Sequence, residues 1–413
     1  MVTKVLGCIW VSLLLLSTVA LDSNAFSVEV EELVTGIATG TTPVISDKTV
    51  LYEDFTLGTY RFYTVDVTTK TKTELRNNQT NYLQPYDFCG THAGWLTYSK
   101  GGGGGGGGNL SYAVQVIDCS SKTVKDIVSD GIYRDFLAMD NQTIIWTDYR
   151  HSIAESDFNE VYLSPLGAVA EKRITSTPSY KASLDITDNL MVWQDYRNAG
   201  TATTNADIYL YNISGGVERA ICTNNAYQDH PSVNGNFVVW SDFRNAGTGD
   251  NADVYLYDLA ENRETAVCTA PGYQAYPKVS GDYIVWHDYR NKTALDTGNA
   301  DIYLYKISTG TELVVTDKPG YQGPPSIYGS KIVWYDYTDG KLYMATIKEG
   351  TTITAENPLA SIKWRQQQRG KPVCHDMLGK RIYSSDGVGR QVNRMVVETG
   401  ADGTTPRKSV QVR

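Results

Sequence analysis

A segment with two strand patterns joined by a Gly/Asn-rich turn recurs along this chain. It reads VVWSDFRNAGTGDNADVYLYDL from Val238, and it returns as MVWQDYRNAGTATTNADIYLYNI from Met191 and as IVWHDYRNKTALDTGNADIYLYKI from Ile284. In each copy an apolar run ends in Trp, a charged Asp-aromatic-Arg step follows, and a second run of β-branched and aromatic residues closes the unit. This is the pattern of a β-hairpin. The fold must therefore be one that repeats a hairpin many times.

The aromatic residue that ends the first strand of each unit marks seven repeats. The successive separations are 43, 51, 47, 47, 46 and 48 residues, and the marks are Tyr52, Trp95, Trp146, Trp193, Trp240, Trp286 and Trp334. A period in the forties with short strands and turns is typical of a β-propeller with one blade per repeat. Helical solenoids need apolar residues at helical spacing, whereas this chain alternates with period two. We therefore predict an all-β, seven-bladed β-propeller with four antiparallel strands (A to D) per blade.

An N-terminal strand is expected to close the ring. Glu32-Leu33-Val34-Thr35 resembles Glu312-Leu313-Val314-Val315-Thr316, which is a strand D, yet no blade precedes it. The last repeat has only a weak strand D of its own at Thr352–Thr354, so the N-terminal strand is predicted to complete that blade. Closure of this kind removes open sheet edges. The propeller is predicted to span residues 26–357.

The two ends of the chain differ from the repeats. Lys4 precedes an apolar run from Val5 to Val19, and small residues precede Phe26, which predicts a cleaved signal peptide at residues 1–25. The alternative is an uncleaved N-terminal anchor, although the run is shorter than a membrane span. We expect a secreted or cell-surface protein with no transmembrane span after signal removal. Residues 358–413 form a basic tail, a linker or a fragment of another module.

Charge is distributed unevenly along the chain. Residues 363–413 contain eleven Lys/Arg against four Asp/Glu, which gives +7, so residues 1–362 carry −16 of the total −9. An acidic body excludes nucleic acid as the main ligand, because phosphates require a basic face. The eight glycines Gly101–Gly108 are typical of a flexible loop, or of an artefact of sequence determination.

Five cysteines follow the signal segment: Cys89, Cys119, Cys222, Cys268 and Cys374. Cys222 and Cys268 occupy the same position in neighbouring repeats, which places them beyond disulfide reach and predicts buried free thiols. A bridge between Cys89 and Cys119 is left open.

The pattern W-x-D-[YF]-R, D-[IV]-Y-L-Y and G-Y-Q-x-x-P resembles the TolB-like, WD40-like propeller repeats of secreted and cell-surface proteins, notably archaeal ones. The resemblance covers about residues 27–355. It implies a binding or scaffolding module, often in tandem with a β-sandwich domain, and Gly400–Thr405 resembles one step of such a sandwich. The wider superfamily also contains peptidase-associated propellers and polysaccharide lyases, so the fold alone does not decide the function.

The repeated residues are predicted to build the blades. A Trp at the end of each strand B suits the wedge between twisted blades. The Asp and Arg of the W-x-D-[YF]-R step lie on one face of the strand, where they can pair with each other or with Asp207, Asp253 and Asp301 of strand C. Because this set is copied in several repeats, we expect a structural network that fixes the B–C turn.

The connections from strand D to strand A and the B–C loops are expected to form one face of the propeller, rich in Tyr, Gln, Asn and Arg. Aromatic faces and amides suit hydroxyl-rich ligands, so this face is predicted to bind a surface glycan or a protein partner, without catalysis. The alternative is that Tyr and Gln only cap strand ends. The predicted ligand-binding residues are Tyr227, Gln228, His230, Tyr273, Gln274, Tyr276, Tyr321, Gln322, Arg197, Arg244 and Arg290.

The rival function is a polysaccharide lyase or glycoside hydrolase that acts on an acidic or hydroxyl-rich polymer. Its catalytic residues would be His230 and Asp229, an acid–base pair at the start of one strand A. No cofactor is expected. The loop from Asp296 to Asp301 offers oxygen ligands for Ca²⁺, although it lacks the EF-hand register.

Overall fold

The computed structural model describes the propeller and four short strands of the tail. The described residues are 26–38, 40, 42–56, 59–78, 82–100, 110–152, 158–199, 205–247, 251–292, 298–350, 374–375, 381–382, 395–399 and 406–410. The predicted signal peptide and Gly101–Gly108 lie outside this part of the chain. The chain divides into two compact units, residues 1–351 and 352–413. The predicted boundary at 357/358 lies outside the described residues and stays a prediction.

The first unit contains seven four-stranded antiparallel sheets. Blade 1 consists of β2 to β5 (Val44–Ser46, Thr49–Thr56, Thr59–Asp66 and Lys72–Asn78), and blade 2 of β6 to β9 (Tyr82–Phe88, His92–Lys100, Leu110–Asp118 and Val124–Ser129). Blade 3 consists of β10 to β13 (Leu137–Met139, Thr143–Asp148, Glu160–Pro165 and Lys172–Arg173), and blade 4 of β14 to β17 (Lys181–Thr187, Leu190–Asp195, Asp207–Asn212 and Val217–Cys222). Blades 5 and 6 are formed by β18 to β25, which are Gln228–Asn234, Phe237–Asp242, Asp253–Asp258 and Arg263–Cys268, then Gln274–Ser280, Tyr283–Asp288, Asp301–Lys306 and Thr311–Thr316. The predicted seven-bladed β-propeller is confirmed.

The seventh blade is completed by the N-terminal strand, as predicted. It consists of β26 (Ser326–Tyr328), β27 (Lys331–Asp336), β28 (Lys341–Glu349) and β1 (Phe26–Val34). β1 runs antiparallel to β28, with Phe26 opposite Glu349 and Val34 opposite Leu342. The Glu349 carboxylate accepts hydrogen bonds from the Tyr283 hydroxyl and from Lys306 Nζ, the latter at 2.9 Å. This contact joins the closing blade to the sixth.

Six tryptophans fill the wedges between blades, each with at most 1 % of its surface exposed, and Tyr52 takes the same place in the first blade. From the third to the seventh blade each indole stacks on a strand C tyrosine, with ring centroids 5.8–6.1 Å apart. At about 25 cal/mol per Å², burying ~200 Å² of one indole contributes up to about 5 kcal/mol. The tryptophans are therefore the main core residues.

The Asp and Arg of the repeat form the predicted structural network. Asp195 accepts hydrogen bonds from the Trp193 indole at 2.8 Å and from the Arg197 guanidinium at 2.6 Å. Arg197 also pairs with Glu218 of strand D at 2.6 Å and lies 3.8 Å above the Tyr209 ring. Burial raises the pKa of the Asp195 carboxyl, but hydrogen bonds from Arg197 and Trp193 outweigh burial and lower the pKa below its ordinary value.

The strand C aspartates take different partners from those predicted. Asp207, Asp253 and Asp301 accept hydrogen bonds from the B–C asparagines at 2.6–2.7 Å, whereas the arginines pair with strand B and strand D. Of the two predicted pairings, the one between the Asp and Arg of the same repeat step is confirmed, and the arginines turn to the strand D glutamate rather than to the strand C aspartates. The donating residues are Asn198, Asn245 and Asn291.

Cys222 and Cys268 are buried free thiols, as predicted. Cys89 and Cys119 are also free, so the bridge left open between them does not form. In the tail, β29 (Cys374–His375) pairs with β30 (Arg381–Ile382), and β31 (Met395–Thr399) pairs with β32 (Pro406–Val410). Among the described residues there is no helix with the length and apolar character needed to cross a membrane.

Candidate functional site

Ten aromatic side chains follow one another around the face formed by the D–A connections and the B–C loops. Each of blades 3 to 7 contributes two of them, one from its D–A connection and one from the end of its strand B. We call this set the aromatic belt, and its members are Tyr133, Tyr149, Tyr180, Tyr196, Tyr227, Phe243, Tyr273, Tyr289, Tyr321 and Tyr337.

The backbone positions both members of each pair. In every one of these blades the N–H of the strand B aromatic donates to the carbonyl of the D–A tyrosine, at 2.9–3.3 Å. From Tyr180 to Tyr337 the neighbouring ring centroids are 4.9–6.4 Å apart, without a break. Tyr149 and Tyr180 are joined through Asp135, which accepts a hydrogen bond from each hydroxyl. The belt therefore forms a continuous arc across five blades.

The innermost strands of three blades carry a strained residue near this face. Ser183, His230 and Tyr276 occupy the same position in blades 4, 5 and 6, and their φ angles are 49°, 48° and 53°. A left-handed backbone at a residue other than glycine costs about 1 kcal/mol or more, and a bulge redirects the side chain. The pairing with strand B is shifted at this point in each blade. As a result, the rings of His230 and Tyr276 meet with centroids 4.1 Å apart.

A second histidine lies beneath these rings. His287 belongs to strand B of blade 6, is fully buried, and contacts Tyr289 and Tyr321 at centroid distances of 4.8 and 5.1 Å. Burial lowers its pKa to about 3, so the imidazole is neutral at physiological pH. Within the described residues neither ring nitrogen has a hydrogen-bond partner. We call Asp229, His230, Tyr276 and His287 the histidine cluster.

Buried polar atoms without partners concentrate around this cluster. Asp229 Oδ1 and His230 Nδ1 approach to 3.1 Å, yet neither atom forms a hydrogen bond within the described part of the chain. The Oε1 atoms of Gln228 and Gln274 are also buried without a donor. A buried polar atom left unpaired costs about 1–3 kcal/mol, and such groups call for an explanation. Most of these atoms are acceptors, so they suit a ligand that carries hydrogen-bond donors.

Asp135 is the residue of blade 3 that corresponds to Asp229, and its carboxylate has hydrogen-bond donors on both oxygens. There, Asp135 accepts hydrogen bonds from the hydroxyls of Thr147, Tyr149 at 2.8 Å and Tyr180 at 3.3 Å. In blade 5 the corresponding neighbours of Asp229 are Ser241, Phe243 and Tyr273. Phe243 has no hydroxyl, and Ser241 Oγ is buried without a partner among the described residues. The two aspartates occupy equivalent positions, but of the two only Asp229 has a buried carboxylate oxygen without a hydrogen-bond donor among the described residues; we call this the open carboxylate.

The structure divides the predicted binding residues into three groups. Tyr227, His230, Tyr273, Tyr276 and Tyr321 come together on the belt and in the cluster. The glutamines Gln228, Gln274 and Gln322 are fully buried below the belt. The arginines Arg197, Arg244 and Arg290 direct their donors to carboxylates of their own blades. Ligand binding by the residues of all three groups stays a prediction.

Gln228 and Gln274 each begin strand A of their blade, and the contacts of Lys181, which begins strand A of blade 4, show the structural role of this position. This lysine replaces the glutamine in blade 4, is fully buried, and donates from Nζ to the carbonyls of Thr177, Asn159 and Ser179 at 2.8, 2.9 and 3.0 Å. Gln228 donates to the Ala226 carbonyl at 2.7 Å in the same place. The side chain at this position therefore donates to carbonyls of the D–A connection, and Lys181 also reaches the carbonyl of Asn159, just before strand C of blade 3.

Sequence reasoning named Tyr227, Tyr273 and Tyr321 of the belt and missed its other seven members, together with the role of His287. Phe243 and Tyr289 are the aromatic residue of the W-x-D-[YF]-R step, so the repeat itself contained the signal. Alternation along strand B directs the His287 side chain to the face opposite Trp286, but its contact with Tyr321 comes from the neighbouring blade.

Only residues 298–301 of the candidate calcium loop are described, so the calcium site stays a prediction. Asp296 lies outside the described residues, and Asp301 accepts a hydrogen bond from Asn291 at 2.7 Å. Burial raises the pKa of Asp301 to about 6, which weakens it as a ligand for a cation. In the described ranges no group of three or more His, Cys, Asp or Glu side chains converges as metal ligands would.

Similarity to known proteins is found at the level of structure. No family model matches this chain, and no curated protein matches it. Among solved structures it is similar to the β-propeller domain of the Trilobed protease from Pyrococcus furiosus, with a TM-score of 0.56 and 10 % identity over 76 % of this chain and 98 % of that one. It is also similar to oligogalacturonate lyase in complex with manganese, with a TM-score of 0.53 and 13 % identity over 79 % of this chain and 97 % of that one.

A third similar structure is the acylaminoacyl peptidase of Pyrococcus horikoshii, with a TM-score of 0.54 and 12 % identity over 67 % of this chain. This chain spans only 45 % of that peptidase. At such identities the similarity shows the propeller fold alone. The fold implied by the TolB-like resemblance is confirmed, and the resemblance of the repeats themselves stays a prediction.

The prediction that this chain is not an enzyme was wrong. It relied on the propeller being a binding module, but the similar propellers include a protease domain, a peptidase and a lyase. The repeated residues that were taken as evidence against catalysis build the scaffold in any propeller, so they do not separate enzymes from binding modules.

Proposed function

We propose that this protein binds a hydroxyl-rich ligand, a glycan chain, on the face that carries the aromatic belt, with the histidine cluster as the anchoring point. The observation that carries the proposal is the open carboxylate of Asp229. Its counterpart Asp135 has three hydroxyl donors, whereas Asp229 Oδ1 is buried without any within the described residues.

A sugar matches the chemistry of this face. Its hydroxyls donate to carboxylate and amide oxygens, while its C–H faces pack on aromatic rings. The His230 side chain is 33 % exposed, so a ligand can contact its ring from the surface, whereas Asp229 Oδ1 is buried beneath it and a ligand hydroxyl reaches this atom only when the His230 ring moves aside. The arc of rings on either side offers further contacts along a polymer. Tyr133 and Tyr337, at the two ends of the belt, are 48 % and 44 % exposed.

The setting that we propose is outside the cell or at its surface. The apolar run between Val5 and Val19 supports export, and the acidic body disfavours nucleic acid as a ligand. A partner protein that presents hydroxyl or amine donors is the alternative occupant of the same face. It is distinguished by screening glycans and proteins in parallel.

The test is a glycan array followed by calorimetric titration of the best ligand. Asp229→Asn retains the shape of the side chain but removes its charge. A hydrogen bond to a charged group contributes about 1.5–3 kcal/mol, so binding should weaken by about 10- to 100-fold. Asp47→Asn is the matched control, because Asp47 lies in an exposed A–B turn with a positive φ that Asn also accepts. Unchanged affinity in Asp229→Asn would contradict the proposal.

Acid–base cleavage of a bound uronate polymer is a second candidate, favoured by the 3.1 Å approach of Asp229 to His230. The carboxylate would orient the imidazole, which would remove the proton next to the uronate carboxyl. The released electron pair would form a carbon–carbon double bond as the glycosidic C–O bond breaks, and the leaving oxygen would take up a proton.

The second candidate predicts new ultraviolet absorbance from the unsaturated product on incubation with polygalacturonate. His230→Ala should abolish it, while His151→Ala, an exposed histidine in another blade, should not. If absorbance does not change but the polymer binds, the protein binds this ligand without cleaving it.

A further inference from the structure

The seven innermost strands enclose a central cavity of about 660 Å³. Its lining begins at Ser232 and Lys278, two residues beyond His230 and Tyr276 along their strands, and extends to the A–B turns at the opposite end of the propeller. The volume is in the usual range for a small-molecule site. The cavity is therefore a second place where this protein can hold a ligand.

One strand A position in each blade faces this cavity, and the residue type at this position differs between blades. In chain order its residues are Val44, Asp87, Ala138, Asp185, Ser232, Lys278 and Ser326. Four of them link their blade to the next by accepting a backbone N–H. Asp87 accepts from Met139 at 2.8 Å, and Asp185 accepts from Val233 at 2.9 Å. The serines do the same, Ser232 for Val279 at 3.5 Å and Ser326 for Ile45 at 3.2 Å.

Lys278 departs from this arrangement. An ammonium has no acceptor, so it cannot form the link to the next blade. Its nearest anionic atom is Asp185 Oδ1 at 3.6 Å, its side chain is 42 % exposed, and within the described residues no hydrogen bond from its Nζ is found. Three donors are thus directed into the cavity beside a carboxylate that still has a free acceptor.

Charges of both signs meet at this level. Asp87 and Asp185 both lie close enough to Lys278 to feel its charge. Asp140 and Asp188 add two further carboxylates near the A–B turns. A simple anion is repelled by four carboxylates, and a simple cation must compete with Lys278. A ligand with both charges satisfies both groups.

We propose that the central cavity binds a small zwitterion of the α-amino-acid type, with its carboxylate on Lys278 and its ammonium on Asp185. The pairing of Lys278 with Asp185 then opens, and each partner exchanges a long contact of 3.6 Å for a hydrogen-bonded ion pair with the ligand. This site is separate from the aromatic belt and does not depend on the function proposed for it.

The test is titration of the full-length protein with three matched probes in a calorimeter. Leucine carries both charges, leucine methyl ester only the ammonium, and N-acetylleucine only the carboxylate. Leucine should bind at least ten times more tightly than either derivative. Equal binding of the methyl ester would overturn the proposal in favour of a simple cation site, and absence of leucine binding would overturn it altogether.

Variants identify the groups. Lys278→Met and Asp185→Asn should each weaken leucine binding at least tenfold, and the amide introduced by Asp185→Asn retains an oxygen for the Val233 N–H, so the blade link is preserved. Lys125→Met, on an exposed part of an outer strand, is the control. If Lys278→Met does not fold, Lys278→Arg keeps the charge and should retain binding. Unchanged binding in Lys278→Met or lost binding in the control would overturn the assignment.

Discussion

Phe243→Tyr should supply Asp229 in blade 5 with a hydroxyl that donates a hydrogen bond to its carboxylate. In blade 3 the hydroxyl at this position, on Tyr149, donates to Asp135 at 2.8 Å. Phe243 lies in the equivalent place, between Tyr227 and Tyr273 at centroid distances of 5.3 and 5.8 Å. A new hydroxyl can therefore reach Asp229, whose Oδ1 is buried without a partner in the described part of the chain.

The expected magnitude follows from that hydrogen bond. A bond to a buried carboxylate contributes about 1.5–3 kcal/mol, so the free energy of unfolding should rise by about 2 kcal/mol and Tm by about 3 °C. The same hydroxyl occupies the acceptor that we assign to the ligand, so glycan affinity should fall by about tenfold, which is about 1.4 kcal/mol. Greater stability and weaker binding should thus appear in one variant.

The assays are thermal unfolding and calorimetric titration, with Tyr149→Phe as the reciprocal control. That variant removes a donor from Asp135 and should lower the free energy of unfolding by about 2 kcal/mol, and it should change glycan affinity less than Phe243→Tyr does, because the ring of the belt is retained and Asp229 is not touched. A lower Tm in Phe243→Tyr, or unchanged affinity together with a higher Tm, would refute the comparison between the two blades.

Three further predictions concern the scaffold. Burial raises the pKa of Asp87 to about 6, so below that pH the folded state holds a proton that the unfolded state releases. Protonation of Asp87 therefore adds to the free energy of unfolding at low pH, and this stabilisation is lost as pH rises through 6. Asp87→Asn should therefore flatten the decline of unfolding free energy between pH 4 and 7 by up to about 3 kcal/mol in denaturant titrations; an unchanged slope would contradict this. Arg244→Ala leaves buried Asp242 without its 2.6 Å partner and should cost about 3 kcal/mol in the same titrations, whereas Arg263→Ala, an exposed control in the same blade, should cost under about 1 kcal/mol. Deletion of residues 26–34 exposes the edge of β28 and should produce aggregates in light scattering; a stable monomer would show that closure is dispensable.

The sequence was sufficient for the blade count because the Trp that ends strand B is a local feature with a fixed spacing. Ring closure was also predictable, since Glu32–Thr35 reads as a fourth strand without a blade. These features depend on one blade at a time. Periodicity therefore reported them directly.

The site could not be predicted to the same depth because it arises between blades. The burial of Gln228 and the geometry of Asp229 depend on the bulge at His230, and a positive φ before Pro231 has no signal in strand alternation. The difference between Asp135 and Asp229 depends on a single hydroxyl, present on Tyr149 and absent from Phe243. Comparison of aligned repeats identifies that position, but only the structure shows which carboxylate it faces.

The pairing of β1 with β28 also makes the propeller suitable for circular permutation. Because Phe26 lies opposite Glu349 in an antiparallel register, a two-residue turn between them would convert the closure into an ordinary β-hairpin. New termini in the exposed C–D turn at Ala260-Glu261 would leave every strand of the seven sheets intact. The order of synthesis of the blades could then be changed without changing the ring, and the contact that now joins residues 26 and 349 would become local.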